Sequence, residues 1–174
     1  MEERVTPGQI GMRYGLIYAL VSTVINLVPI LTESAGSMGT GFAIMFVNIV
    51  VAFVFFILAG REFKKQNGGM ISFGEGFKIN MIAAALTAGI RSTISYVYIK
   101  FIDPEYPDRI TRAMEETWQR QGLSPEQIDQ FKGFSAGATD PEMMLISGIV
   151  GAIFGGLIWG AISAAITKTE EDEF

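Results

Sequence analysis

Four long apolar stretches constrain this chain more than any other feature. They run from Tyr14 to Leu31, Phe42 to Leu58, Ile79 to Ile102 and Met143 to Ile166. Each approaches or exceeds the ~17–25 residues a helix needs to cross ~30 Å of hydrocarbon. Lipid offers no partner to backbone N–H and C=O groups, so each stretch is expected to be helical. The prediction is an all-α chain: a four-helix transmembrane bundle forming one integral membrane domain over its 174 residues. The polar segment 103–142 is then an insert between the third and fourth spans.

A cleavable signal peptide is the competing reading of the first stretch. Its leader mixes Glu2 and Glu3 with Arg4 and Arg13, and its apolar run exceeds the usual ~7–15 residues. Small residues follow at Ser34-Ala35-Gly36, but a retained span is the expectation. Lys and Arg in short loops set orientation. The 32–41 loop has none, whereas Arg61, Lys64, Lys65 and Lys78 flank the second and third spans on the side that also holds Arg4, Arg13 and Lys168. Both termini are therefore expected in the cytoplasm, and the insert outside.

Ser72 and Glu75 have the spacing of a capping box, which predicts that the third helix starts near Ser72. In the insert, Tyr106, Ile110, Met114 and Trp118 form one apolar stripe at four-residue steps. Three acid-before-base pairs accompany it, Glu105 with Arg109, Asp108 with Arg112 and Glu116 with Arg120. Gly122 ends this helix, and Ser124-Pro125 starts a second with Ile128, Phe131 and Phe134 on its apolar side. The expected arrangement is a solvated helical hairpin resting on the outer ends of the spans; a docking surface for another protein is the alternative.

In the fourth span Gly148, Ala152, Gly156, Gly160 and Ala164 make a ridge of small residues, with Ser147, Gly151 and Gly155 beside it. Such ridges let helix backbones approach closely in lipid. Ala84, Ala88 and Ser92 in the third span suit it, so an intramolecular seam is expected, with self-association or a hetero-oligomer through these spans as the alternative.

Arg91 lies near the middle of the third span. A charge there costs at least ~2.5–3.5 kcal/mol on insertion scales and by default marks function. No Asp or Glu lies inside any apolar run. Four accounts are open: Arg91 snorkels outward toward Asn26, Asn48 and Ser95; it binds carbonyls or water within the bundle; it meets an acid of a partner subunit; or it binds an anionic headgroup or substrate. Lys100 sits near the outer boundary and can snorkel, and Asn80 reads as a packing or capping residue.

Composition closes several routes. Charged residues are 18% of the chain, against about 25% in ordinary soluble domains. With no Cys and no His, thiolate sites and the commonest general base and metal ligand are absent. No metal site, cofactor or catalytic residue is expected. A net charge of −5 argues against nucleic acid, which needs a basic surface. The acidic run Glu170-Glu171-Asp172-Glu173 reads as a disordered cytoplasmic tail.

The Tyr14-Gly15 opening, the stretch Gly69-Met70-Ile71-Ser72-Phe73-Gly74-Glu75-Gly76-Phe77-Lys78, the long acidic insert and the Gly-rich last span resemble a family of small bacterial membrane proteins catalogued as domain of unknown function 4199. The resemblance implies four helices in a bacterial cytoplasmic (inner) membrane and carries no reaction or catalytic residue. The expected role is a non-catalytic subunit or scaffold of a membrane complex, in contact with lipids. The alternative is a homo-oligomeric transporter or a lipid- or anion-binding protein that uses Arg91. An enzyme comes third, because no paired-acid, nucleophile–base or phosphate-cradling arrangement is present.

Overall fold

The computed structural model describes residues 5–32, 34 and 37–169. Arg4, Glu33, the Ala35-Gly36 pair and the acidic tail from Glu170 lie outside them, as does the side chain of Phe134. The described chain is helical, with six α-helices: α1 (Pro7–Leu31), α2 (Met38–Gln66), α3 (Phe73–Val97), α4 (Tyr106–Arg120), α5 (Pro125–Thr139) and α6 (Pro141–Thr167). A π-helical turn, Tyr98–Ile102, extends α3. Helices α1, α2, α3 with its extension, and α6 are long and apolar enough to cross a membrane, as hydropathy implies.

Local chemistry sets the starts of these helices. Thr6 with Gln9, Ser72 with Glu75 and Ser124 with Gln127 form capping boxes at α1, α3 and α5. In the α3 box the Ser72 N–H donates to Glu75 Oε2 at 2.8 Å and the Glu75 N–H to Ser72 Oγ at 3.2 Å. Asp140 caps α6 by accepting from the Met143 N–H at 2.9 Å. Gly68 and Gly69, both at positive φ (67° and 85°), turn the chain between α2 and α3, a conformation that glycine adopts without steric cost. Thr169 closes this end: its N–H donates to the Ile71 carbonyl at 2.8 Å, and its Oγ1 accepts from the Ile71 N–H at 3.1 Å.

Packing is inverted relative to a soluble bundle. Leu20, Phe46 and Phe154 are each more than 60% exposed, while Ser22, Asn80, Thr87, Ser92 and Ser163 are buried. In water such an apolar exterior is an aggregation surface; in lipid it is solvated. The chain is a multi-pass membrane protein.

Helix α3 holds the centre, with α1 on one side and α6 on the other, and α2 completes the bundle between α1 and α6. The α3–α6 register is antiparallel and is set by small residues. A Cβ built on Gly148 would fall 2.7 Å from Ser92 Oγ, on Gly156 2.8 Å from Ala84 Cβ, and on Gly160 3.2 Å from Asn80 Cβ. Across from Ala164 it is α3 that supplies the glycine, Gly76, whose added Cβ would meet Ala164 Cβ at 3.3 Å. The ridge of the last span is thus used within the chain.

A second close seam joins α1 to α3 in parallel. Cβ atoms on Gly11 and Gly15 would lie 2.9 Å from the Ile79 carbonyl oxygen and from Ala83 Cα. Thr87 Oγ1 donates to the Gly15 carbonyl at 3.1 Å. Beyond α3 the apolar stripe of α4 divides. Tyr106 packs with Ile30 and Ile99 at the end of the bundle, with Ile110 against them. Trp118 meets Phe131 of α5 at 5.6 Å between ring centroids. Arg109 pairs with Asp103 through two hydrogen bonds, and Lys132 reaches Glu115 at 2.8 Å, tying α5 to α4.

Candidate functional site

Buried apolar side chains fill the bundle in three layers. One layer joins Ile10, Phe63, Ile71 and Ile79, the next Tyr18, Phe56, Ala83 and Ala84, and the last Ile30, Ile99 and Tyr106. Between the second and third lies a layer of a different kind, made of Ser22, Asn26, Asn48, Arg91, Ser92 and Ser95. Its helix α6 contribution is Gly148, Gly151 and Ala152. These residues are too small or too polar to fill the space, and two cavities result.

The larger cavity, of about 380 Å³, is lined from all four spanning helices: Tyr18 and Asn26 of α1, Met45 and Asn48 of α2, Thr87 and Arg91 of α3, Gly155 and Trp159 of α6, with others. That volume lies within the ~300–1,000 Å³ of small-molecule sites. It is open on one side, and its exposed lining residues Gly41, Met45 and Gly151 place the mouth between α2 and α6. A Cβ on Gly41, Gly151 or Gly155 would meet nothing within 4 Å, so no described residue packs across this mouth. The smaller cavity, of about 180 Å³, lies toward the α4 end and is lined by Ser95, Tyr96, Met144 and Gly148 among others. Among the described residues Arg91 and Asn26 alone line both.

Arg91 has no hydrogen bond and no ion pair among the described residues. The titratable group that faces it is the Tyr18 phenol, and no carboxylate among the described residues acts on it. Asn26 and Asn48, expected as its neighbours, line the same cavity but satisfy one another. Asn26 Nδ2 donates to Asn48 Oδ1 at 3.1 Å and to the Ser22 carbonyl at 2.7 Å, and Ser22 Oγ donates to Asn48 Oδ1 at 3.2 Å. Ser95 shares the smaller cavity with Arg91 without bonding to it. A guanidinium with five donors therefore lines both cavities without a partner among the described residues.

The family model described as "Protein of unknown function (DUF4199)" matches residues 13–169. The chain belongs to the DUF4199 family. The matched region contains every lining residue of both cavities. No curated protein and no solved structure matches the chain.

Two polar features of this DUF4199 chain stand apart from the cavities. Asn80, buried to 1% exposure, donates to the Gly160 carbonyl at 3.0 Å and to Ser163 Oγ at 2.7 Å. It is a packing residue that stitches α3 to α6, and its Oδ1 lacks a partner among the described residues. Lys100 pairs with Glu142 and with the Tyr96 hydroxyl, so this boundary lysine links the end of α3 to the start of α6. Glu142 lies in the first turn of α6, and the antiparallel register of the two helices pairs it with Lys100. Among the described residues no group of three His, Cys, Asp or Glu could hold a metal.

Proposed function

We propose that this chain is a non-catalytic protein of the bacterial cytoplasmic membrane whose bundle receives one anionic group at Arg91. The carrying observation is the pairing of an unpartnered guanidinium with a cavity open on one side. A buried charge is retained at a cost, and that cost falls when a charge-assisted hydrogen bond is made to it. The lining supplies one cation and no carboxylate, which favours binding of an anion over acid–base chemistry. In this reading both termini are cytoplasmic, from the basic residues near them, and α4 and α5 face outward.

A second reading, a non-catalytic subunit or scaffold of a larger complex, has its own observation. Ser147 and Gly151 are exposed beside the packed ridge of α6, and nothing lies within 4 Å of a Cβ on Gly151 or Gly155. A partner helix carrying an acid would be accommodated there. The ligand reading ranks first because the main ridge is already consumed by α3, and because Arg91 is reached from inside the bundle.

The test is mild extraction from native membranes with mass determination of the intact particle, for the wild type and for Arg91→Gln. The proposal predicts this chain with a small anionic species that the variant does not retain. A stoichiometric protein partner released by Arg91→Gln would overturn it in favour of the subunit reading.

A further inference from the structure

The two cavities that share Arg91 differ in the chemistry of their linings, and that difference specifies the ligand. The larger is walled by Ile44, Met45, Ile49, Phe56 and Trp159, and its mouth between α2 and α6 opens on an apolar helix surface where Phe46 and Phe154 are exposed. The smaller adds the hydroxyls of Ser92, Ser95 and Tyr96. Arg91 and Asn26 stand where the two meet.

We infer that the ligand is an acidic amphiphile, a single alkyl chain with a carboxylate or phosphate head, which enters sideways from the bilayer. This rests on the proposed anion-binding role of Arg91. The head sits between the two cavities on the Arg91 guanidinium, and the alkyl chain lies in the larger cavity against Trp159. A dissolved anion reaching the same point would have to pass about nine residues of α3 below Lys100, roughly 13 Å at 1.5 Å per residue, or cross the hydrocarbon. The alkyl chain of an amphiphile is already in that phase, so only its head has to be carried to Arg91, and the chain lies against the apolar lining of the larger cavity. Charge decides the head: a cation with no carboxylate near it among the described residues selects an anion, and a neutral head leaves it uncompensated.

The structure also supplies the probe. Trp159 lines the larger cavity, and the second tryptophan, Trp118, lies away from it in α4. In the full chain carrying Trp118→Phe, purified in a neutral detergent, a dibrominated C18 fatty acid should quench Trp159 fluorescence saturably. The matching brominated alcohol should quench at least tenfold more weakly, and Arg91→Gln should abolish the difference. Gly155→Leu, whose side chain enters the cavity from a position with no neighbour within 4 Å, should prevent quenching with the helical circular dichroism unchanged. That variant keeps the test decisive if Arg91→Gln fails to fold.

Equal quenching by acid and alcohol would overturn the inference, as would quenching that Gly155→Leu leaves intact. Inorganic phosphate distinguishes the source of the anion. If phosphate protects Arg91-dependent thermal stability while no amphiphile reaches Trp159, the amphiphile inference falls and the anion-binding role stands. If neither phosphate nor amphiphile acts through Arg91, both fall.

Discussion

Adding one methyl to the last spanning helix at two adjacent glycines should give opposite results. In Gly156→Ala the new Cβ lies 2.8 Å from Ala84 Cβ and 3.5 Å from Met81 Sδ. Carbon atoms pack best at about 3.5–4.0 Å, so α3 and α6 must separate locally by about 0.7–1.2 Å. The first obstacle is a β-carbon fixed to the backbone, so no rotamer change relieves it. Overpacking of this kind costs typically about 1–3 kcal/mol. In Gly155→Ala the methyl meets nothing within 4 Å. Both variants gain the same intrinsic helix preference of alanine over glycine, about 1 kcal/mol, so their difference isolates the packing cost. Reversible unfolding of the purified protein in mixed micelles of increasing SDS fraction, followed by circular dichroism, measures it. Gly156→Ala should be less stable than Gly155→Ala by about 1–3 kcal/mol. Stabilities equal within about 0.5 kcal/mol, the usual scatter of surface substitutions, would refute the α3–α6 register. Gly156→Leu should go further and reduce folded yield.

Three further outcomes follow from named contacts. Thr87→Val removes the hydrogen bond to the Gly15 carbonyl and should cost about 0.6 kcal/mol and no more than about 1.7, read in the same unfolding assay. Asp103 is held below the usual carboxylate range chiefly by its hydrogen bonds from Arg109, so this contact stabilises the α4 attachment above the ordinary Asp value. Its contribution is lost as pH falls through the depressed value, and amide exchange in α4 should rise there in the wild type, with Asp103→Asn showing that faster exchange already at neutral pH. Deleting residues 170–174 should leave yield and stability unchanged, whereas also removing Thr169 should loosen the α2–α3 loop that it clasps, as exchange at Ile71 would report.

The number and placement of spanning helices could be read from the sequence because hydropathy over ~20 residues is a direct statement about lipid. The α3–α6 seam could be read because five small residues at four-residue steps leave little else for that face to do. The α1–α3 seam has the same signature in Gly11, Gly15 and Ala19, but its first glycine precedes the apolar run, so the span boundary interrupts the pattern. Arg91 announced itself as a lone charge, yet its surroundings depended on which helix faces which. Asn26 and Asn48 had the right depth to meet it, and each had a nearer partner in the other. The cavity is harder still to foresee, since it arises from what Gly151 and Gly155 fail to fill, and an absent contact has no periodicity. Lys100 reads as an ordinary boundary charge in the sequence, and only the register of α3 and α6 sets Glu142 opposite it.

The most direct test of the account is whether the Arg91 guanidinium touches an external anion in a lipid bilayer. Solid-state NMR of the protein with ¹⁵N-labelled arginine, reconstituted with a ¹³C-carboxylate-labelled fatty acid, reads that contact as nitrogen–carbon dipolar coupling. The account predicts a coupling at hydrogen-bond distance that is absent in Arg91→Gln. A guanidinium coupled only to groups of its own chain, with the labelled carboxylate uncoupled, would contradict it.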